Sequence, residues 1–93
     1  MTVPEQLGAL RRQVDETNER LLELLNERGA LIRDIGRIKT ANDLALRDET
    51  REVQELRHLA ELNRGPYSDA EIEEVFRSIF NASMSLMQRG GPL

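Results

Sequence analysis

The sequence predicts an all-α protein with three helices per chain, one long and two shorter. Two observations support this fold class. The chain has no proline between Pro4 and Pro66, so long helices are permitted there. Apolar residues recur at intervals of three and four, the spacing of one face of a helix, in each of the three predicted helices.

The first helix is predicted from Glu5 to Lys39. Its length of about 35 residues corresponds to roughly 50 Å, whereas a globule of about 100 residues has a radius of gyration near 13 Å. The core of one chain is too small to cover such a helix, so we expect something else to cover it. The apolar residues at helical spacing are Leu7, Leu10, Val14, Leu21, Leu24, Leu25, Leu31, Ile32, Ile35 and Ile38.

The second helix is predicted over about Glu49 to Asn63, after a long loop at Thr40 to Asp48. Asp48 is the expected N-cap, because a carboxylate there accepts a hydrogen bond from a free N–H of the first turn. Gly65 and Pro66 then stop the helix and form a turn.

The third helix is predicted to begin at Ser68, because Glu71 three residues later completes a capping box. We expect residues 1–88 to form one helical domain and residues 89–93 to begin a linker or tail. The apolar face of the third helix comprises Ile72, Val75, Phe76, Ile79, Phe80, Leu86 and Met87.

Composition excludes several classes of function. There are 13 Lys and Arg against 17 Asp and Glu, a net charge of −4, and aromatic residues are 3% of the chain; both argue against nucleic-acid binding. The absence of cysteine and the single histidine argue against a metal site. No membrane span and no signal peptide is evident, so we expect a cytoplasmic protein.

Three cations interrupt the apolar stripe of the first helix. Arg11, Arg28 and Lys39 lie on rows that otherwise bury apolar side chains, and an unpaired buried cation costs several kcal/mol. Each cation either pairs with a protein carboxylate, reaches solvent at a helix end, or helps to bind a small anionic ligand. Arg11 and Arg28 are about 26 Å apart along the axis, so one small ligand cannot touch both on the same helix. In an antiparallel homodimer, Arg11 of one chain could approach Arg28 and Lys39 of the other.

Further polar residues are candidates for the same pocket. Asp48, Arg51 and Glu52 open the second helix, and Asp48 and Glu52 share a face. Ser83 interrupts the apolar face of the third helix. The plain alternatives are an N-cap for Asp48 and a tolerated small core residue for Ser83. No nucleophile–base pair or phosphate-binding loop is present, which disfavours covalent or proton-shuttling catalysis.

In this order and spacing, four segments resemble the all-helical chorismate mutases, and the resemblance covers nearly the whole chain. The segments are Ala9-Leu10-Arg11, Leu21 to Arg28, Ile35-Gly36-Arg37-Ile38-Lys39 and Asp48-x-x-Arg51-Glu52. Within that family the chain is most similar to the domain fused ahead of DAHP synthase in some bacteria, on the segments Asn26 to Gly29, Asn63 to Tyr67 and Val75 to Ala82.

The resemblance implies an intertwined homodimer that converts chorismate to prephenate without a cofactor. Arg28 and the partner's Arg11 would hold the substrate carboxylates, and Lys39 would reach a carboxylate and the ether oxygen. The remaining implied contacts are the ring hydroxyl region for Asp48 and Glu52, pocket ordering for Arg51, and a carboxylate for Ser83.

One position departs from the family pattern. The resemblance implies Gln or Glu on the third helix where this chain has Met87, followed by Gln88. Either a local shift turns Gln88 inward as a catalytic donor, or Met87 lines a pocket that lacks one. We therefore expect a weak mutase, and the resemblance to the fused domain implies that it regulates a DAHP synthase. The alternatives are a non-catalytic domain that senses chorismate or prephenate, and a structural dimerisation module.

Overall fold

The computed structural model describes residues 1–90, which contain three α-helices and no strand. These are α1 (Val3–Ala41), α2 (Glu49–Leu62) and α3 (Asp69–Arg89). The predicted all-α class and the one-long, two-short arrangement are confirmed. Helix α3 runs through Arg89, the first residue of the range predicted as a linker or tail. Residues 91–93 of that range lie outside the described residues. No helix within residues 1–90 is long and apolar enough to cross a membrane.

Helix α1 extends two residues beyond the prediction at each end. At its start the Thr2 hydroxyl accepts a hydrogen bond from the backbone N–H of Glu5, with Oγ1 3.2 Å from the nitrogen. At its end the backbone N–H of Leu44 donates to the Lys39 carbonyl at 2.8 Å, and Asp43 adopts a left-handed φ of 55°. These hydrogen bonds satisfy backbone groups at the two ends of the helix. The sequence has no glycine just after Ala41 that would have predicted where the helix ends.

Helix α2 begins as predicted, because Asp48 Oδ1 accepts the backbone N–H of Arg51 at 2.9 Å. It ends at Leu62, and the side chain of Asn63 organises the following turn. The Asn63 amide nitrogen donates to the Tyr67 carbonyl at 2.9 Å, and its amide oxygen accepts the N–H of Gly65 at 3.0 Å. Gly65 has a φ of 77°, which a residue with a side chain rarely adopts.

The capping box at the start of α3 is confirmed. Ser68 Oγ accepts the backbone N–H of Glu71, and the Glu71 carboxylate accepts the backbone N–H of Ser68 at 3.0 Å. The backbone N–H and the hydroxyl of Ser68 both donate to that carboxylate, so the pKa of Glu71 lies below its ordinary value. Helix α3 therefore has a fixed first turn.

The chain divides into two units, the first from Met1 to Leu31 and the second from Ile32 onward. The first unit is the N-terminal part of α1, and its large apolar side chains are exposed; they include Leu7, Leu10, Val14, Leu21, Leu22, Leu24 and Leu25. In the second unit α2 contacts α3. Its core is centred on Phe80, which is 4% exposed and lies against Phe76 with ring centroids 6.3 Å apart.

Candidate active site

Lys39 lies in the second unit, in the last turns of α1, and its side chain is half-buried. The ammonium Nζ donates to the Leu46 carbonyl at 3.0 Å, which ties the loop between α1 and α2 to the helix. Within residues 1–90, Lys39 forms no ion pair with a carboxylate. Within this part of the chain, the Lys39 ammonium is therefore held by a main-chain carbonyl and not by a carboxylate.

The start of α2 places three predicted site residues in different settings. Asp48 is exposed and caps the helix, which confirms the N-cap role expected for this residue. Arg51 is exposed, and its Nε lies 3.7 Å from Glu55 Oε1 on the next turn. Glu52 is the most enclosed of the three, since 14% of its side chain is accessible.

Glu52 is held by a residue that the sequence analysis did not select. Arg47 Nη2 lies 2.9 Å from Glu52 Oε1, and Arg47 Nη1 donates to Asn81 Oδ1 of α3 at 3.2 Å. One guanidinium thus connects the loop, the start of α2 and α3. Arg47 immediately precedes the N-cap Asp48, and that adjacency is the sequence signal that could have identified it.

Helix α3 carries Ser83 and Met87 on one side, and both are half-buried. The Ser83 hydroxyl donates to the Ile79 carbonyl at 2.8 Å, one turn earlier. Gln88 is exposed, and the helix continues unbroken through Arg89. A regular helix places successive residues about 100° apart, so Met87 and Gln88 do not face the same side of α3. Met87 occupies the inward position.

Met87 packs directly on α1. A Cβ built on Gly36 would lie 2.9 Å from Met87 Cγ and 3.2 Å from Met87 Cβ, so only glycine fits at that point of α1. Beside this contact is a half-open, largely apolar cleft of about 350 Å³. It is lined by Arg33, Gly36, Arg37, Thr40, Ala41, Met87 and Gly90.

Arg11 and Arg28 lie in the first unit, on the same helix and 17 positions apart. Arg28 is half-buried and Arg11 is exposed. The second unit thus carries Lys39, Asp48, Arg51, Glu52, Ser83, Met87 and Gln88, and the first carries both arginines. No group of three His, Cys, Asp or Glu side chains suited to a metal ion occurs among residues 1–90. The polar groups of the second unit suit the binding of a charged, hydroxylated small molecule.

Comparison with known proteins identifies the family. The sequence profile of the chorismate mutase type II family matches residues 10–88. The chain belongs to this family. The matched range includes every candidate site residue, from Arg11 to Gln88, and all but the first turns of α1. The profile therefore covers most of the domain that the sequence analysis placed at residues 1–88.

Individual chorismate mutases agree with this assignment. The structure is similar to form II of the chorismate mutase from Thermus thermophilus, with a TM-score of 0.88 and 42% identity over 90% of this chain and 96% of that one. The chain is also 36% identical to the bifunctional chorismate mutase/prephenate dehydratase of Pseudomonas aeruginosa and 34% identical to that of Stutzerimonas stutzeri. Each alignment covers 95% of this chain but only 26% of the relative.

Proposed function

We propose that this chain catalyses the rearrangement of chorismate to prephenate. The observation that carries the proposal is the half-buried Lys39 ammonium, which is held by the Leu46 carbonyl and has no carboxylate partner in the described part of the chain. A fixed, uncompensated positive charge suits a substrate with two carboxylates and an ether oxygen that becomes negative as its bond breaks. Membership of the chorismate mutase type II family supports the same substrate.

The proposed chemistry requires binding and orientation rather than proton transfer. The rearrangement is intramolecular, so the protein must hold the substrate in its reactive conformer and stabilise the charge that develops on the ether oxygen. Arg28 and Arg11 would bind the carboxylates and Lys39 the ether oxygen. Asp48 and Glu52 would contact the ring hydroxyl region, Arg51 would order the pocket, and Ser83 would contact a carboxylate.

We also propose that the active form is an intertwined homodimer in which Arg11 comes from the partner chain. Two observations support it. Arg11 and Arg28 are separated by about 26 Å along one helix, so one small ligand cannot touch both in the same chain. Exposed apolar surface favours association, and the apolar side chains exposed between these arginines in the single chain are Val14, Leu21, Leu22, Leu24 and Leu25.

A second function, the sensing of chorismate or prephenate, is favoured by Met87. The thioether of methionine is at most a weak acceptor, so this position offers no hydrogen-bond donor to the ether oxygen. Loss of one such donor typically costs about 10²–10³ in rate. The chain would then be a weak catalyst whose ligand affinity serves regulation.

In its full protein, we propose, this domain precedes a DAHP synthase catalytic domain and supplies feedback control. The support is the resemblance of three segments to the domain fused ahead of DAHP synthase, namely Asn26 to Gly29, Asn63 to Tyr67 and Val75 to Ala82. The two bifunctional relatives carry prephenate dehydratase instead, so the reading frame beyond Leu93 tests this proposal.

The test follows chorismate consumption and prephenate formation by the purified chain, with titration calorimetry in parallel. A mutase turns chorismate over, and a sensing domain binds it without turnover. A purely structural dimerisation module does neither, and Arg28→Ala would leave its calorimetric trace unchanged. Binding that Arg28→Ala abolishes would eliminate the structural alternative.

A further inference from the structure

Arg47 is the residue through which the loop contacts both shorter helices. Its Nη2 lies 2.9 Å from Glu52 Oε1, and its Nη1 lies 3.2 Å from Asn81 Oδ1. A guanidinium is planar, so two contacts on different nitrogens fix its plane as well as its position. The direction from which Arg47 approaches Glu52 is therefore set by α3 as well as by the loop.

The Arg47–Glu52 pair is more enclosed than the comparable ion pair elsewhere in the second unit. Side-chain exposure is 37% for Arg47 and 14% for Glu52, against 53% and 48% for Arg77 and Glu73 of α3, whose atoms are 2.8 Å apart. Attraction between charges grows as water is excluded, whereas an exposed pair contributes little. The Arg77–Glu73 pair thus has a similar distance between its charged atoms but is exposed to solvent, so it serves as a matched control.

The contact uses only one oxygen of Glu52. Arg47 binds Oε1, and in the described part of the chain no hydrogen bond is made by Oε2. A carboxylate held by one oxygen can still accept a hydroxyl proton with the other. We propose that Arg47 is a positioning residue for Glu52: it fixes the carboxylate so that Oε2 accepts a hydroxyl of the ligand.

The same loop positions a second group. The carbonyl of Leu46, one residue earlier, accepts a hydrogen bond from Lys39 Nζ at 3.0 Å. Two consecutive loop residues thus hold an ammonium of α1 and a carboxylate of α2. The positioning role rests on the proposed function, since Glu52 and Lys39 are proposed substrate contacts.

The experiment is a double-mutant cycle on chorismate turnover by the full chain, with kcat and KM measured separately. The variants are Arg47→Met, Glu52→Gln and the double variant, with Arg47→Lys as the conservative replacement and Arg77→Met as the matched control. We expect Arg47→Met to lower kcat/KM by about 10- to 100-fold, the loss expected when a reacting or binding group is displaced. The double variant should be no slower than Glu52→Gln alone, because Arg47 acts through Glu52. Arg47→Lys should recover part of the loss, and Arg77→Met should match the unaltered chain.

Three outcomes would overturn the proposal. Multiplication of the two single losses in the double variant would show that Arg47 acts independently of Glu52. A lower melting temperature for Arg47→Met with unchanged kcat/KM would show that Arg47 only joins the helices. If Arg47→Met does not fold, the same conclusion is tested with Arg47→Lys: an unaltered kcat/KM in that variant would show that the planar guanidinium is not needed to position Glu52. Absence of turnover by the unaltered chain would overturn the proposed function and the positioning role together. The first two outcomes would overturn the positioning role and leave the proposed function intact.

Discussion

Met87 of α3 lies against the backbone of α1 at Gly36, where a Cβ would be 2.9 Å from Met87 Cγ. Gly36 is buried and lies one turn before Lys39. The contact therefore determines how closely the third helix approaches the part of α1 that carries the candidate catalytic ammonium. It also makes the identity of residue 87 important for the packing of α3 on α1.

Gly36→Ala is expected to destabilise the chain by about 1–3 kcal/mol, the cost of inserting a methyl group into a filled site. The clash involves Cβ and Cγ of Met87, which cannot move aside as freely as the end of a long side chain. Urea unfolding monitored by circular dichroism measures the effect. Gly8→Ala is the control, because the nearest atom to its added Cβ is the flexible Arg12 Nη1 at 3.7 Å, and alanine there should stabilise the helix by up to about 1 kcal/mol.

Met87→Gln is expected to raise kcat. The amide would offer the ether oxygen the hydrogen-bond donor that methionine lacks, and such a donor is worth about 10²–10³ in rate when well placed. Steady-state turnover of chorismate measures the gain, and Ser85→Gln places the same side chain at an exposed position of α3. A Met87→Gln variant that is no faster than the unaltered chain would refute this explanation for weak catalysis.

The helices follow from the sequence more closely than the connections between them. Asp48, Ser68 and Glu71 act locally, so their capping roles follow from spacing alone. The role of Arg47 depends on which residues meet after folding, because Arg47 donates a hydrogen bond to Asn81, 34 positions further along the chain. Spacing alone could not decide whether residue 87 or residue 88 faces inward, because that required the path of α3 beside α1.

The start of α3 is expected to lose stability in acid. Since the pKa of Glu71 is lowered in the folded chain from the ordinary 4.5, its contribution is complete above pH 4.5 and is lost as the pH falls through the folded value. Melting temperature measured from about pH 6 to about pH 3 should fall more for the unaltered chain than for Glu71→Gln. Glu74→Gln, a change in the same helix outside the capping box, should retain the steeper fall; equal slopes for all three proteins would contradict this role of Glu71.

Leu21→Asp is expected to dissociate the proposed homodimer. Leu21 is exposed in the single chain and lies on the same seven-residue row of α1 as Arg28, so a charge there would be buried without a partner at the dimer contact. Sedimentation velocity measures the change in mass. Arg20→Asp, which alters the neighbouring residue on the charged side of the helix, should remain dimeric. A monomeric unaltered chain would overturn the dimer proposal.

The most direct test of the proposed activity is the rate of chorismate turnover by the unaltered chain and by Lys39→Ala, with Arg12→Ala as a surface-charge control. We predict measurable prephenate formation by the unaltered chain and by Arg12→Ala. In Lys39→Ala, kcat/KM should fall by about 10²–10³, because the ammonium stabilises the charge that develops on the ether oxygen. Turnover that is unaffected by Lys39→Ala, in a protein that remains folded, would contradict the proposed role of this ammonium.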